Sequence, residues 1–187
     1  FLPNPVNNAQ IRALSNKTFG DWRDRIIKMK YLINVSSFIE QKNHEFLIRI
    51  YEHVRRVHSD FKLVLLGTGD KEASVRQLCL DLGLSVNDSD STAPNMSADV
   101  FLLGFQRNPY PFLAHSQLFV LPSLWEGMPI ALLEAMSLGR TSVVSDCSPA
   151  IREMFDAKQL IEPLDESEVV GYERTRCGYL MYRFSPP

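Results

Sequence analysis

Leu121-Pro122-Ser123-Leu124-Trp125-Glu126-Gly127-Met128-Pro129-Ile130-Ala131-Leu132-Leu133-Glu134-Ala135-Met136 is the stretch that decides the reading of this chain. An apolar strand closes at Leu121, a turn containing Gly127 follows, and a helix opens with Pro129 near its first position. Proline is favoured there because the N–H it lacks would have no helical partner and its φ is already set. Gly139 stops the helix. The free N–H groups and positive dipole end of such a helix form an anion site, and phosphate is the natural guest. Glu126 lies in the turn, and Glu134 lies between one and two turns in, leaning back toward the helix start. Neither carboxylate welcomes phosphate directly, but both accept hydrogen bonds from sugar hydroxyls. Phosphate at the helix end with hydroxyls on either side is the layout of a nucleoside diphosphate sugar. A bare pair of glutamates at this spacing is ordinarily a helix cap and an exposed side chain; the placement between a strand end and a helix start reverses that preference.

Outward from this stretch, strand and helix alternate. Strands are expected at Tyr31–Val35, Phe61–Leu66, Asp99–Leu103, Leu118–Leu121, Thr141–Ser145 and Gln159–Ile161. Helices are expected at Glu45–Val57, Lys71–Leu82, Tyr110–His115, Pro129–Leu138 and Pro149–Phe155, with one short helix somewhere between Asn8 and Lys30. Val86–Ser97, rich in Asp, Ser and Asn, reads as a loop. The strands are continuously apolar, as in a parallel sheet covered on both faces. The fold class that follows is α/β, a Rossmann-like doubly wound parallel sheet. Ligands bind such sheets beyond the C-terminal strand ends, which singles out the loops after Val35, Leu66, Leu103, Leu121 and Ser145. The domain organisation expected is a linker and leading helix over 1–30, the sheet domain over 31–163 and an irregular tail over 164–187. Phe1-Leu2-Pro3-Asn4-Pro5-Val6 reads as an extended linker arriving from an upstream domain, since each proline disfavours helix in the residue before it. No closing helix follows the tail, so a truncated C-terminus is expected as well.

Composition narrows the classes. The 187 residues carry 20 basic and 22 acidic side chains, a formal charge of −2, which argues against a dedicated nucleic-acid binder. The basic cluster Lys17, Arg23, Arg25, Lys28 and Lys30 is interleaved with Asp21 and Asp24 and reads as a solvated face. Cys79, Cys147 and Cys177 are odd in number and widely spaced, as suits reduced thiols in a cytosolic protein. No apolar run approaches the roughly 20 residues that span a bilayer. His44, His53, His58 and His115 do not sit at metal-ligand spacing, and His53 and His58 read as solvated. A nicotinamide-dependent dehydrogenase is disfavoured, because no GxGxxG follows the first strand and no acidic residue ends the second.

Glu126 and Glu134, with Gly127, Pro129, Ala135, Met136 and Gly139, resemble the Glu-x7-Glu motif of retaining GT-B glycosyltransferases of family 4, the glycosyl transferases of group 1. The resemblance runs from about Asn4 to about Pro163. It takes in Asn4-Pro5-Val6, Lys42, Gly67-x-Gly69, Val100–Gly104, Leu118–Ser123, and Ser145-Asp146-Cys147 leading to Glu153. It implies a C-terminal, donor-binding domain, one half of a GT-B fold. By this resemblance Glu134 accepts the donor's ribose hydroxyls and Glu126 faces the transferred sugar. Gly127, Met128, Pro129 and the helix start hold sugar and pyrophosphate through backbone groups. Lys42 neutralises the diphosphate leaving group. The base lies against Gly104-Phe105-Gln106, and Gly67 and Gly69 allow a loop to approach the ligand. One departure stands out: the family's Arg, five residues before the Lys, is Ser37 here, so half of the cationic phosphate clamp is missing.

The resemblance also implies a hexosyltransferase of polysaccharide biosynthesis that takes an NDP-sugar and needs no metal. UDP is the expected carrier on family frequency. The acceptor is a glycan or a lipid-linked sugar, held by a missing N-terminal domain, so this chain alone is expected to transfer nothing. The expected location is cytoplasmic, with the whole enzyme peripheral to the inner face of the membrane. A reading from another class stays open: a non-catalytic nucleotide-binding or interaction module, which Ser37 favours slightly. Trp125 packs either on the sugar or on the strand end. Asp146 reads as a turn or cap residue, and Cys147 has no base near it and is not read as a nucleophile.

Overall fold

In a computed structural model, residues 6–89, 94–155, 172–174 and 178–181 are described. The elements in chain order are α1 (Asn8–Ser15), α2 (Arg23–Ile26), β1 (Lys30–Val35), a 3-10 turn (Glu40–Lys42), α3 (His44–Val57), β2 (Phe61–Leu66), α4 (Glu72–Asp81), β3 (Val86–Asp88), β4 (Val100–Leu102), α5 (Tyr110–His115), β5 (Leu118–Leu121), α6 (Ile130–Ser137), β6 (Ser142–Ser145), α7 (Pro149–Met154), β7 (Tyr172–Arg174) and β8 (Gly178–Met181). The strands form one sheet in the order β3-β4-β2-β1-β5-β6-β8-β7. All neighbours are parallel except β7, which runs antiparallel to β8 at the edge. The expected Rossmann-like α/β sheet is what the chain builds.

The apolar strands follow from burial on both faces. Successive residues point to opposite sides of a sheet, so Leu32, Leu63, Leu65 and Val120 join one core, with Leu47, Ile48 and Tyr51 of α3 and Val75 and Cys79 of α4. Ile33, Val64, Leu66, Phe119, Leu121 and Val144 join the other, with Phe112 of α5, Leu132 and Ala135 of α6 and Ile151 of α7. These buried strand residues therefore meet helices on both faces, and the strands read apolar through most of their length rather than alternating.

Several expectations are corrected. The segment between Asn8 and Lys30 holds two helices rather than one. Ile11 and Ile26 are buried, and Phe19 stacks on Phe112 with ring centroids 4.6 Å apart. Val86–Asp88, inside the stretch read as a loop, is an edge strand parallel to β4; three residues bounded by polar ones carry too little apolar pattern to be seen. The tail read as irregular, with Gly178–Phe184 left open as loop or strand, supplies β7 and, within that stretch, β8, whose Leu180 is buried in the core. The strand expected at Gln159–Ile161, the Asn4-Pro5 linker and Cys177 lie outside the described residues.

The sheet order positions the site. From β1 the chain works outward through β2 to the β3–β4 edge, then returns across β1 to lay down β5 and β6. The reversal falls between β1 and β5, and a crevice opens at such a point beyond the C-terminal strand ends. Backbone pairing of β1 with β5 covers only Leu32↔Leu118 and Ile33↔Phe119. One residue further on, the buried Asn34 side chain takes over, its Nδ2 donating to the Val120 carbonyl at 2.8 Å.

Candidate functional site

The loops after β1 and β5 meet across this crevice. Leu124 N–H donates to the Gln41 carbonyl at 2.8 Å, and Gln41 Nε2 donates to the Trp125 carbonyl at 2.7 Å. Beside them Lys42 Nζ meets Glu126 Oε1 at 2.5 Å. The Glu126 side chain is 5% exposed and that of Lys42 17%, so the pair is largely withdrawn from water, where its attraction is little screened. Ser123, itself buried, donates its hydroxyl to the same Oε1 at 2.7 Å. Both donors thus hold one oxygen of Glu126. Lys42 arrives through the 3-10 turn Glu40–Lys42, after which Asn43, at φ 51°, turns the chain into α3.

The loop that carries Lys42 rests on glycine. A Cβ on Gly67 would lie 2.0 Å from the Ser36 carbonyl oxygen, and one on Gly69 would lie 2.4 Å from that of Phe38. Gly67 also has φ +141°, a region disfavoured for side chains. The close approach expected at these glycines is therefore to the chain's own β1–α3 loop. Hydrogen bonds from Ser36 N–H to the Leu66 carbonyl and from Phe38 N–H to the Thr68 carbonyl, both 3.0 Å, seal the contact.

α6 begins at Ile130, with Pro129 as its N-cap in extended conformation, one residue later than expected. Gly127 and Ile130 are exposed, so the helix start is open to solvent; Met128 is half-buried and Pro129 buried. Glu134, at the fifth position of α6, accepts a hydrogen bond on Oε1 from the Tyr110 hydroxyl at 2.8 Å. Burial pushes the Glu134 carboxyl up from its ordinary value, and the Tyr110 hydrogen bond pulls it part of the way back. Tyr110 is itself pushed up to about 12 by burial and by Glu134, so it remains a donor at neutral pH. Cys147, in the loop after β6, is pushed up to about 11 by burial and by the Glu126 and Asp146 carboxylates. A protonated thiol there is no nucleophile. Asp146 is committed to Arg152 Nε at 2.7 Å, a structural pair.

The remaining expected residues stand apart. Ser37 is exposed in the β1–α3 loop. Phe105 is 76% exposed beyond β4. Gln106 turns onto Arg23: its Oε1 accepts from Arg23 Nη1 at 3.1 Å and its Nε2 donates to the Leu103 carbonyl at 2.5 Å. Asp21 holds the same guanidinium at 2.6 Å. A pocket of about 240 Å³ lies here, lined by Asp21, Trp22, Arg23, Ser89, Leu103 and Gln106. Among the described residues no cluster of His, Cys, Asp and Glu is placed to hold a metal ion, and no helix is long and apolar enough to cross a membrane.

Sequence reasoning missed Tyr110, Ser123, Arg23 and His44 at this site. Ser123-x-x-Glu126 has the spacing of a capping pair, and that spacing was the available signal. His44 opens α3 beneath the Lys42 turn, 3% exposed, and stacks on Phe38 at 4.3 Å. Ser36 donates its one hydroxyl proton to Asn34 Oδ1, so His44 Nε2, 3.2 Å from that hydroxyl, is the donor. Nδ1 is left as a bare acceptor with no partner among the described residues. Burial, with Lys42 nearby, lowers His44 to about 4 and keeps it neutral.

A family model described as "Glycosyl transferases group 1" matches residues 29–171. An uncharacterized glycosyltransferase of Methanocaldococcus jannaschii is 34% identical over 156 residues, covering 83% of this chain and 36% of that protein. The UDP-Gal:alpha-D-GlcNAc-diphosphoundecaprenol alpha-1,3-galactosyltransferase of Escherichia coli is 30% identical over 151 residues, covering 78% of this chain and 36% of that protein. The chain thus spans little more than a third of the length of these relatives. The crystal structure of TarM shares the fold, with a TM-score of 0.60 at 23% identity over 82% of this chain and 25% of that one. With the motif, the sheet and the family match all in agreement, this chain belongs to the group 1 glycosyltransferases.

Proposed function

We propose that this chain is the donor-binding domain of a retaining glycosyltransferase that moves a hexose from a nucleoside diphosphate sugar to a glycan or lipid-linked acceptor. The observation that carries the reading is the Lys42–Glu126 pair, largely withdrawn from water at the sheet's switch point, beside the open start of α6. The diphosphate binds at that helix start, where the N–H groups of residues 127, 128, 130 and 131 and the dipole are positive. As the bond from the anomeric carbon to the diphosphate breaks, its electron pair stays on phosphate oxygen. Lys42 and the helix end stabilise that charge where it develops. With Ser37 in place of a second cation, this positive charge rests on Lys42 and backbone. Glu126 keeps one oxygen on Lys42 and Ser123 and offers the other to a hydroxyl of the transferred sugar. Glu134 takes the ribose hydroxyls. The base lies by Gly104-Phe105-Gln106, toward the pocket walled by Arg23.

The acceptor class and the retention of configuration draw support from the Escherichia coli relative. Its name gives a lipid diphosphate acceptor and an alpha product from UDP-Gal, a donor whose sugar is itself α-linked. UDP is proposed as the carrier on the same ground.

Calorimetry with UDP and GDP tests the reading. One of them is expected to bind, and Glu134→Ala is expected to weaken it by about tenfold or more, the loss of hydrogen bonds to a charged group. If neither nucleotide binds the wild-type chain, the reading fails.

A further inference from the structure

Glu134 is a half-buried carboxylate on the second turn of α6, and its two oxygens are not equivalent. Oε1 accepts from Tyr110 at 2.8 Å. Oε2 has no partner among the described residues and is not sealed from solvent. Tyr110 comes from a different element, the first residue of α5, and α5 packs against α6 through the core that includes Phe112, Leu132 and Ala135. A phenol on two χ angles, anchored in that core, is a stiff donor. It removes the freedom of the Glu134 carboxylate to rotate and leaves a single accepting edge open. It also favours the charged form, which burial alone would disfavour.

We propose that Tyr110 is a positioning residue: by occupying Oε1 it aims Oε2 of Glu134 at the ribose hydroxyls of the donor nucleotide, and so makes the site select ribonucleotides over nucleotides lacking those hydroxyls. The proposal rests on the donor-site reading above. Ser123 treats Glu126 in the same way, holding Oε1 at 2.7 Å. Each carboxylate of the motif is therefore clamped by a hydroxyl on one oxygen and presents the other.

The test is calorimetry of the 187-residue chain with UDP against 2′,3′-dideoxy-UDP, or with GDP and its dideoxy analogue if GDP is the nucleotide that binds. Tyr110→Phe is expected to lower affinity for the ribonucleotide about tenfold while leaving the dideoxynucleotide unchanged, so the preference between the two collapses. In a Glu134→Gln background the same substitution is expected to change neither affinity. A purely structural role would lower both ligands together in Tyr110→Phe, and that result overturns the proposal, as does an unchanged ribonucleotide affinity. Should Tyr110→Phe fail to fold, Glu134→Asp takes its place. Its shorter side chain leaves the Tyr110 hydroxyl behind, and an undiminished ribose preference in that variant overturns the proposal. Absence of binding by the wild-type chain to either ribonucleotide removes the donor-site reading itself, and this inference with it.

Discussion

At the residue scale, the site is a set of charged groups held by buried neutral ones. His44 is the clearest case. Its ring is sealed beneath the turn that bears Lys42, donating to Ser36 and stacking on Phe38, and it is neutral because burial lowers it to about 4. A base whose proton affinity is lower in the folded state than in the unfolded chain contributes stability that is present above about pH 6.5. That stability drains as the pH falls toward about 4, because the unfolded chain takes the proton first. The loss over this window is expected to reach about 3 kcal/mol. His44→Gln is expected to flatten the profile between pH 6.5 and 4 in urea unfolding followed by circular dichroism. A variant that keeps the wild-type slope would place the acid sensitivity elsewhere. Glu126 and Glu134 were legible from their placement between a strand end and a helix start, with the spacing that the family motif shares. Tyr110 was not, because its meeting with Glu134 joins residues 24 apart in sequence.

At the element scale, the strand ends do the placing. β1 and β5 pair through only two residue pairs, and Asn34 bridges the strands with its side chain where the ladder stops. Beyond that point the two following loops are joined by Gln41 and by the Lys42–Glu126 pair. The loop after β2 supports this arrangement by lying directly against the loop after β1, which requires a residue without Cβ at 67. Gly67→Ala combines a backbone clash with a strained φ and is expected to cost about 3 kcal/mol in chemical denaturation. Gly127→Ala, by contrast, meets nothing within 4 Å and has no left-handed φ to maintain. It is expected to leave the unfolding midpoint within about 0.5 kcal/mol of wild type. Equal losses in the two variants would refute the account of Gly67. The longer strands were legible as unbroken apolar runs and the helices by their period, because each carries enough residues to show a pattern. β3 was not, since Val86–Asp88 is too short to show one.

At the scale of the whole molecule, the sheet presents its crevice outward. Trp125 and Ile130 are about half exposed, and Phe105 more so, in the loops and helix start that follow β4 and β5. The chain spans little more than a third of the relatives it matches. On the proposed reading the acceptor is held by another domain across this crevice. The chain alone is then expected to bind donor nucleotide but release no product when incubated with UDP-sugars and a lipid diphosphate acceptor. Turnover in a radiolabel transfer assay by residues 1–187 would contradict that division of labour. Local sequence by itself determined the parallel α/β sheet, the helix start after Glu126 and the identity of the motif carboxylates, because apolar period, Pro129 and Gly139 act over a few residues. Only the tertiary structure decided that Lys42 is already paired with Glu126, that Tyr110 clamps Glu134, that Arg23 reaches Gln106, and that the tail returns to the sheet as β8. Those contacts join residues far apart in sequence, and packing of both cores around the switch point, rather than any local propensity, brings them within hydrogen-bond distance.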